Sequence, residues 1–199
     1  PTTTRHGVRR QRQMCIRDRV ERIADWFVMR EADRRKTAQP VALEHGAKGF
    51  LKWADIGFSL NARADRIDRN ESGAYLIYDY KSGTPPTVSQ QKAFDKQLLI
   101  MAAMIETGAF ARLSPDTVDA AIFIGLGSTP KEVAAPLDDE PTAEILTELR
   151  SLITAYMSED QGFTSRRMME QDRFGGDYDQ LARYGEWDAT AKTKPEDLK

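Results

Sequence analysis

Apolar positions change their period several times along this chain. Over residues 20–37, VERIADWFVMREADRRKT, Val20, Ile23, Ala24, Phe27 and Val28 recur at the spacing of one helix face, and Pro40 ends the helix. A short strand is predicted over residues 41–44. Residues 57–69 then alternate with a period of two. Phe58, Leu60, Ala62 and Ala64 share one face, and Ser59, Asn61, Arg63 and Asp65 share the other. Turn chemistry at residues 70–73 and a return over 74–81 rich in Tyr and Ile complete a predicted β-hairpin. SGTPP stops that strand. Residues 88–107 predict a second helix with Leu98, Leu99, Ala102 and Ile105 as its buried stripe and Gly108 as its stop. DAAIFIGLG, residues 119–127, predicts a buried strand. Residues 136–141 read as a linker and 142–158 as an amphipathic helix. The order α-β-β-β-α-β-α predicts an α/β fold, a small mixed sheet flanked by helices.

The hairpin carries charge where aliphatic side chains would pack. The register that its patterning favours sets Asp65 across from Asp79, with Lys81 two residues on and on the same face. Two carboxylates about 5 Å apart repel unless a shared proton, a lysine or a divalent cation intervenes. Mg²⁺ suits such a pair, since it takes one or two carboxylates and keeps water and phosphate oxygens as its other ligands. Lys81 would then orient or deprotonate a water. The plainer alternative pairs Asp65 and Asp79 with Arg63, Arg66 and Lys81 as ordinary surface ion pairs.

Composition narrows the classes. The chain has 199 residues, 40% hydrophobic and 30% charged, which suits one domain, or one domain plus a tail. No apolar run reaches the roughly 18 residues of a membrane span, and the basic N-terminus lacks the apolar segment of a secretory signal. Cys15 is the one cysteine, so a reducing cytoplasm is the expected setting. With two histidines besides, no Ser-His-Asp or Cys-His set can be assembled. A net charge of −2 is no global nucleic-acid signature; DNA binding would need a local basic surface. GLGSTPK, residues 125–131, lacks the Gly-Lys-Ser/Thr of a phosphate loop and reads as a strand-end turn. Trp26 and Phe27 read as core side chains, not as a base-stacking platform.

Residues 9–19, RRQRQMCIRDR, match the translation of a transposon-type sequencing adapter at every position. Residues 1–19 are therefore expected to be non-native, with the genuine sequence starting near Val20, in mid-gene. They hold six of the 29 bases and one of the 31 acids, so the remainder carries 23 and 30, a net charge of −7. The cysteine goes with them.

ARADRIDR followed by IYDYKSG resembles the second and third motifs of the PD-(D/E)xK nuclease superfamily, RecB-like branch. The resemblance is in particular to the C-terminal nuclease domain of alphaproteobacterial AddB subunits of AddAB helicase–nucleases. It implies a restriction-endonuclease-like core with Asp65 and Asp79 as metal ligands, the Tyr80 carbonyl as a backbone ligand, and Lys81 as the catalytic lysine. It also implies that Gln97 on the next helix positions DNA or that lysine. The partner expected four residues later is Met101, so that motif is half present. Arg63 and Arg66 are the candidate DNA contacts, with a pair to Asp68 or Asp79 as the alternative for Arg66. The implied cofactor is Mg²⁺, with Mn²⁺ as a substitute; with no cysteine beyond Cys15, no iron–sulfur cluster is expected.

The implied activity is exonucleolytic DNA hydrolysis in double-strand-break repair by homologous recombination. The substrate would be a single strand delivered from a duplex end, and the partner an AddA-type helicase–nuclease subunit. No membrane partner is implied. SRRMMEQDRFGGDYDQLARYGEW, residues 165–187, resembles the C-terminal signature of the same family. The expected organisation is a partial nuclease domain over 20–160, a family-specific extension over 161–188 and a disordered tail over 189–199. The family's first motif, a His or Glu on an earlier helix, is missing; Glu31 reads as a solvated helix residue and Glu44 as a strand end. Weak or absent activity is therefore expected of this piece alone. The opposing reading is a DNA-binding or scaffolding module that keeps the fold and does not cut.

Overall fold

The computed structural model describes residues 21, 23–161, 179–181, 183, 185, 186 and 188. The adapter-like segment and the 189–199 tail lie outside the described residues, as does most of the 165–187 signature. Two compact units are present, Pro1–Ile145 and Leu146–Lys199, and every element that shapes the site belongs to the first. Among the described residues no helix is long and apolar enough to cross a membrane.

Helix α1 covers residues 23–37. It is followed by β1 (Ala38–Leu43), β2 (Lys48–Trp53), β3 (Phe58–Arg63), β4 (Arg66–Asn70) and β5 (Tyr75–Lys81). Helices α2 (Val88–Ala93) and α3 (Gln97–Glu106), strands β6 (Val118–Gly125) and β7 (Lys131–Ala134), and helix α4 (Thr142–Tyr156) complete the order. Five strands form one mixed sheet in the order β1-β4-β5-β6-β7, and β2-β3 form a separate pair. The β5–β6 pairing is parallel, so α2 and α3 serve as its crossover; the other pairs are antiparallel. This is the predicted α/β class with more strands than predicted.

Three elements differ from the expected ones. The strand read across residues 57–69 is cut at Ala64–Asp65 into β3 and β4, which belong to different sheets. Its unbroken alternation hid the corner, because a chain can change partners without changing period. The helix read over 88–107 is two helices. Thr87 and Gln90 close a capping box on α2, and Gln97 opens α3. The face of α1 turned to the sheet is Ile23, Phe27, Glu31 and Arg34, whereas Val28 is 66% exposed. Two of those four are charged, so hydrophobic periodicity pointed to the wrong side of its second half.

The core lies between the sheet and α3. Leu98, Leu99, Ala102, Met104 and Ile105 are fully buried, as are Ile67, Ile77, Phe123 and Ile124 from the strands. Along β5 the side chains alternate: Tyr78 and Tyr80 meet α1, while Asp79 and Lys81 meet the start of α3. Gly125 permits a tight finish to this arrangement. A Cβ there would sit 2.4 Å from Pro85 Cδ, so the SGTPP turn can fold across the end of β6 directly after Lys81.

Candidate active site

The site is built at the end of β5 from three side chains and a corner. β4 and β5 pair as Arg66↔Tyr78 and Ile67↔Ile77, the register that the patterning favours, and one further step sets Asp65 opposite Asp79. The corner that holds Asp65 is fixed by backbone bonds. Ala64 N–H donates to Ala47 O (3.0 Å), and Glu44 N–H donates to Asp65 O (3.1 Å). Glu44 adopts a φ of 42°, a left-handed value uncommon outside glycine, at the turn where the chain leaves β1.

The Asp65 carboxylate reaches the backbone of its partner strand. Oδ2 accepts the Tyr80 N–H at 2.8 Å, a donor that lies beyond the last β4–β5 pair. Asp79 is buried. Its Oδ1 accepts Gln97 Nε2 at 2.7 Å, and Lys81 Nζ lies 2.9 Å from its Oδ2. Gln97 closes the set, since its Oε1 accepts Lys81 Nζ at 3.0 Å. One amide thus orients both the acid and the lysine. Lys81 Nζ also stands 4.9 Å from the Phe123 ring centroid, which supports the ammonium from below.

These residues fit a hard cation. Asp79 Oδ2 is buried and accepts no hydrogen bond; the Lys81 contact is an ion pair only. A buried carboxylate oxygen is costly unless positive charge faces it, and here the Lys81 ammonium, 2.9 Å away, supplies that charge. Among the described residues no group of three His, Cys, Asp or Glu side chains gathers to hold a metal. Asp65, Asp79 and the Tyr80 carbonyl are therefore the donors available, with water and substrate oxygens for the remainder, a division that Mg²⁺ accepts.

The other predicted residues are placed less uniformly. Arg63 is exposed and lies 3.6 Å from Glu44. Arg66 is 5% exposed; it donates to both Asp68 oxygens (2.6 and 2.5 Å) and to Glu31. Its guanidinium faces the α1 side and is committed to the interior, which corrects its reading as a DNA contact. Met101 is buried against the core and brings no polar atom to the site. Glu31 is not a solvated helix residue but the α1 anchor of Arg66. Burial opposes its ionisation, yet hydrogen bonds from Arg35 and Arg66 outweigh that and hold its carboxyl below the ordinary value. Burial likewise works against the Arg66 charge, and its bonds to Asp68 and Glu31 raise it instead.

Beyond them lies a polar layer that periodicity did not reveal. Arg34 pairs with Glu132 of β7, and the Tyr78 ring is sandwiched between Arg34 and Arg66, each 5.3 Å from its centroid. The available signal was Asp68, a charge three residues after Asp65 on a strand otherwise flanked by core.

The mixed sheet thus ends in two acids, a lysine and a bridging glutamine. The sequence profile of the PD-(D/E)XK nuclease superfamily matches residues 3–174, and the chain belongs to that superfamily. Its members hydrolyse phosphodiester bonds, typically with divalent metals. An uncharacterized protein of Rickettsia bellii (strain RML369-C) is 32% identical over 85 residues, 42% of this chain and 10% of the relative. An uncharacterized protein of Rickettsia felis (strain ATCC VR-1525 / URRWXCal2) is 28% identical over 108 residues, 52% of this chain and 13% of the relative. The chain thus spans roughly a tenth of the length of the curated relatives it matches.

Proposed function

We propose that this chain is part of a Mg²⁺-dependent DNA nuclease in which Asp65 and Asp79 hold the ion and Lys81 activates the attacking water. The observation that carries this reading is the Gln97 bridge, which sets Asp79 and Lys81 on one amide beside the Asp65 corner. When bound, the ion would polarise the phosphoryl oxygen and lower the pKa of a water. The chain's own residues supply the rest. Gln97 holds Lys81 Nζ over Phe123, so the amine stays aimed along the end of β5. Asp65 and the Tyr80 carbonyl complete the oxygen set.

The finer reading is an AddB-like exonuclease of double-strand-break repair, working on a single strand fed by an AddA-type partner. It is supported by the segments at 62–69, 77–83 and 165–187, which resemble that subunit together. The test is release of nucleotides from single-stranded DNA with Mg²⁺ by the full chain and its Asp79→Asn and Lys81→Met variants. Slow Mg²⁺-dependent release is expected, lost in Asp79→Asn and reduced roughly 10²–10⁴-fold in Lys81→Met. Equal cutting by the chain and Asp79→Asn would rule out this site. DNA binding without any cutting would favour the non-cutting module, the reading to which a buried Met101 lends weight.

A further inference from the structure

The β2–β3 hairpin has two unlike faces. Register pairs Lys48 with Arg63, Phe50 with Asn61, and Lys52 with Ser59. All six are exposed and share one side of the ribbon. The opposite side is seated. A Cβ on Gly49 would lie 2.5 Å from the Phe110 ring, and Phe50 N–H donates to Ala109 O at 2.8 Å. Trp53 stacks on Phe58 at 5.5 Å to close the far end. The outward face is therefore held by a rigid support, and it presents an aromatic ring, 54% exposed, between three cations.

Phe50 is the most exposed aromatic side chain among the described residues. Lys48 and Lys52 pair with no acid among the described residues, and Glu44, 3.6 Å from Arg63, is the acid that meets this face. In a chain of net charge −2, such a basic cluster is local. Cations that track a backbone, with a ring on which bases stack, are the composition of a sequence-tolerant single-strand site. The face also leads somewhere. Arg63 ends β3, and Asp65 follows two residues later, so Asn61 opposite Phe50 lies no more than about 14 Å of chain from the candidate metal ligand.

We infer that the exposed face of the β2–β3 hairpin is a track for single-stranded DNA, with Phe50 as the base-stacking platform and Lys48, Lys52 and Arg63 as phosphate contacts. The inference rests on the nuclease reading for its direction toward Asp65, and it extends the candidate DNA contact at Arg63 to three residues that sequence patterning did not single out.

The experiment is fluorescence anisotropy of a labelled oligothymidylate with the full chain, in EDTA so that nothing is cut, at several salt concentrations. Phe50→Ala is expected to weaken binding roughly 5- to 150-fold, the equivalent of one stacked base. Phe50→Trp should keep the affinity. Lys48→Ala/Lys52→Ala should lower the slope of log affinity on log salt by about 1.4, at ~0.7 per phosphate on a single strand. Wild-type affinity and slope in the Phe50→Ala and double-lysine variants, or no binding by the unaltered chain, would overturn the track. Asp79→Asn separates the two proposals. If it binds the oligonucleotide normally but cuts like the unaltered chain, the active-site reading fails and the track stands. If it stops cutting while Phe50→Ala binds normally, the track fails and the active-site reading stands.

Discussion

Tyr78 shows how far a single side chain can report on its surroundings. Its ring is buried between two guanidinium groups, and burial, reinforced by the Asp68 charge, pushes its hydroxyl up to about 12. A group whose pKa is raised in the fold contributes stability that is intact below its unfolded value, near 10, and is lost as pH rises through the folded one. Urea midpoints should therefore fall between pH 10 and 12. Tyr78→Phe should remove a slope of up to about 1.4 kcal/mol per pH unit from that fall. An identical fall in the variant would show that Tyr78 titrates normally. At this scale the hairpin register placed Asp65, Asp79 and Lys81 by spacing alone, whereas Gln97 was pointed to by the family resemblance and by no spacing. The sequence left Arg66 open between a DNA contact and a pair with Asp68, since an arginine on a strand reads the same whether it faces solvent or a buried acid; the structure takes the pair.

Elements are joined here by charge as much as by apolar burial. Helix α1 docks through Glu31 and Arg34 onto Arg66 and Glu132, and Asp68 beneath is fully buried. Arg66→Met would strand the buried Asp68 carboxylate and leave Glu31 with Arg34 and Arg35. Urea unfolding at pH 7 should register a loss of about 3–5 kcal/mol. The combined change Glu31→Leu/Arg66→Met/Asp68→Leu should recover most of it, because a well-packed apolar set replaces the ions without leaving one unpaired. A loss below 1 kcal/mol in the single variant would place the network at the surface. The β2–β3 ribbon was not anticipated because KGFLKW carries two lysines and a glycine among its six residues, and its inward Gly49 has no side chain to mark the buried face.

Metal and fold should be linked across the whole molecule. An ion bound by Asp65 and Asp79 in the native state alone stabilises it by mass action, about 2.7 kcal/mol at a hundredfold excess over Kd. Thermal midpoints should rise by roughly 5–10 °C in saturating Mg²⁺ or Mn²⁺ and return on addition of EDTA. The Asp65→Asn/Asp79→Asn variant should show no rise, and a full rise in it would place the ion elsewhere.

The linear sequence by itself determined the register that sets Asp65 opposite Asp79, the placement of Lys81 on the same face, and the α3 stripe that packs beneath them. These follow from periods of two and 3.6, which are local and survive in any sequence of this pattern. Only the tertiary structure decided that the chain breaks at Ala64, that Glu31 and Arg34 face inward, and that Phe50 faces outward with three cations. Each of those depends on which distant segment covers a given face. Charge within the interior obeys that geometry and leaves no periodic trace along the chain.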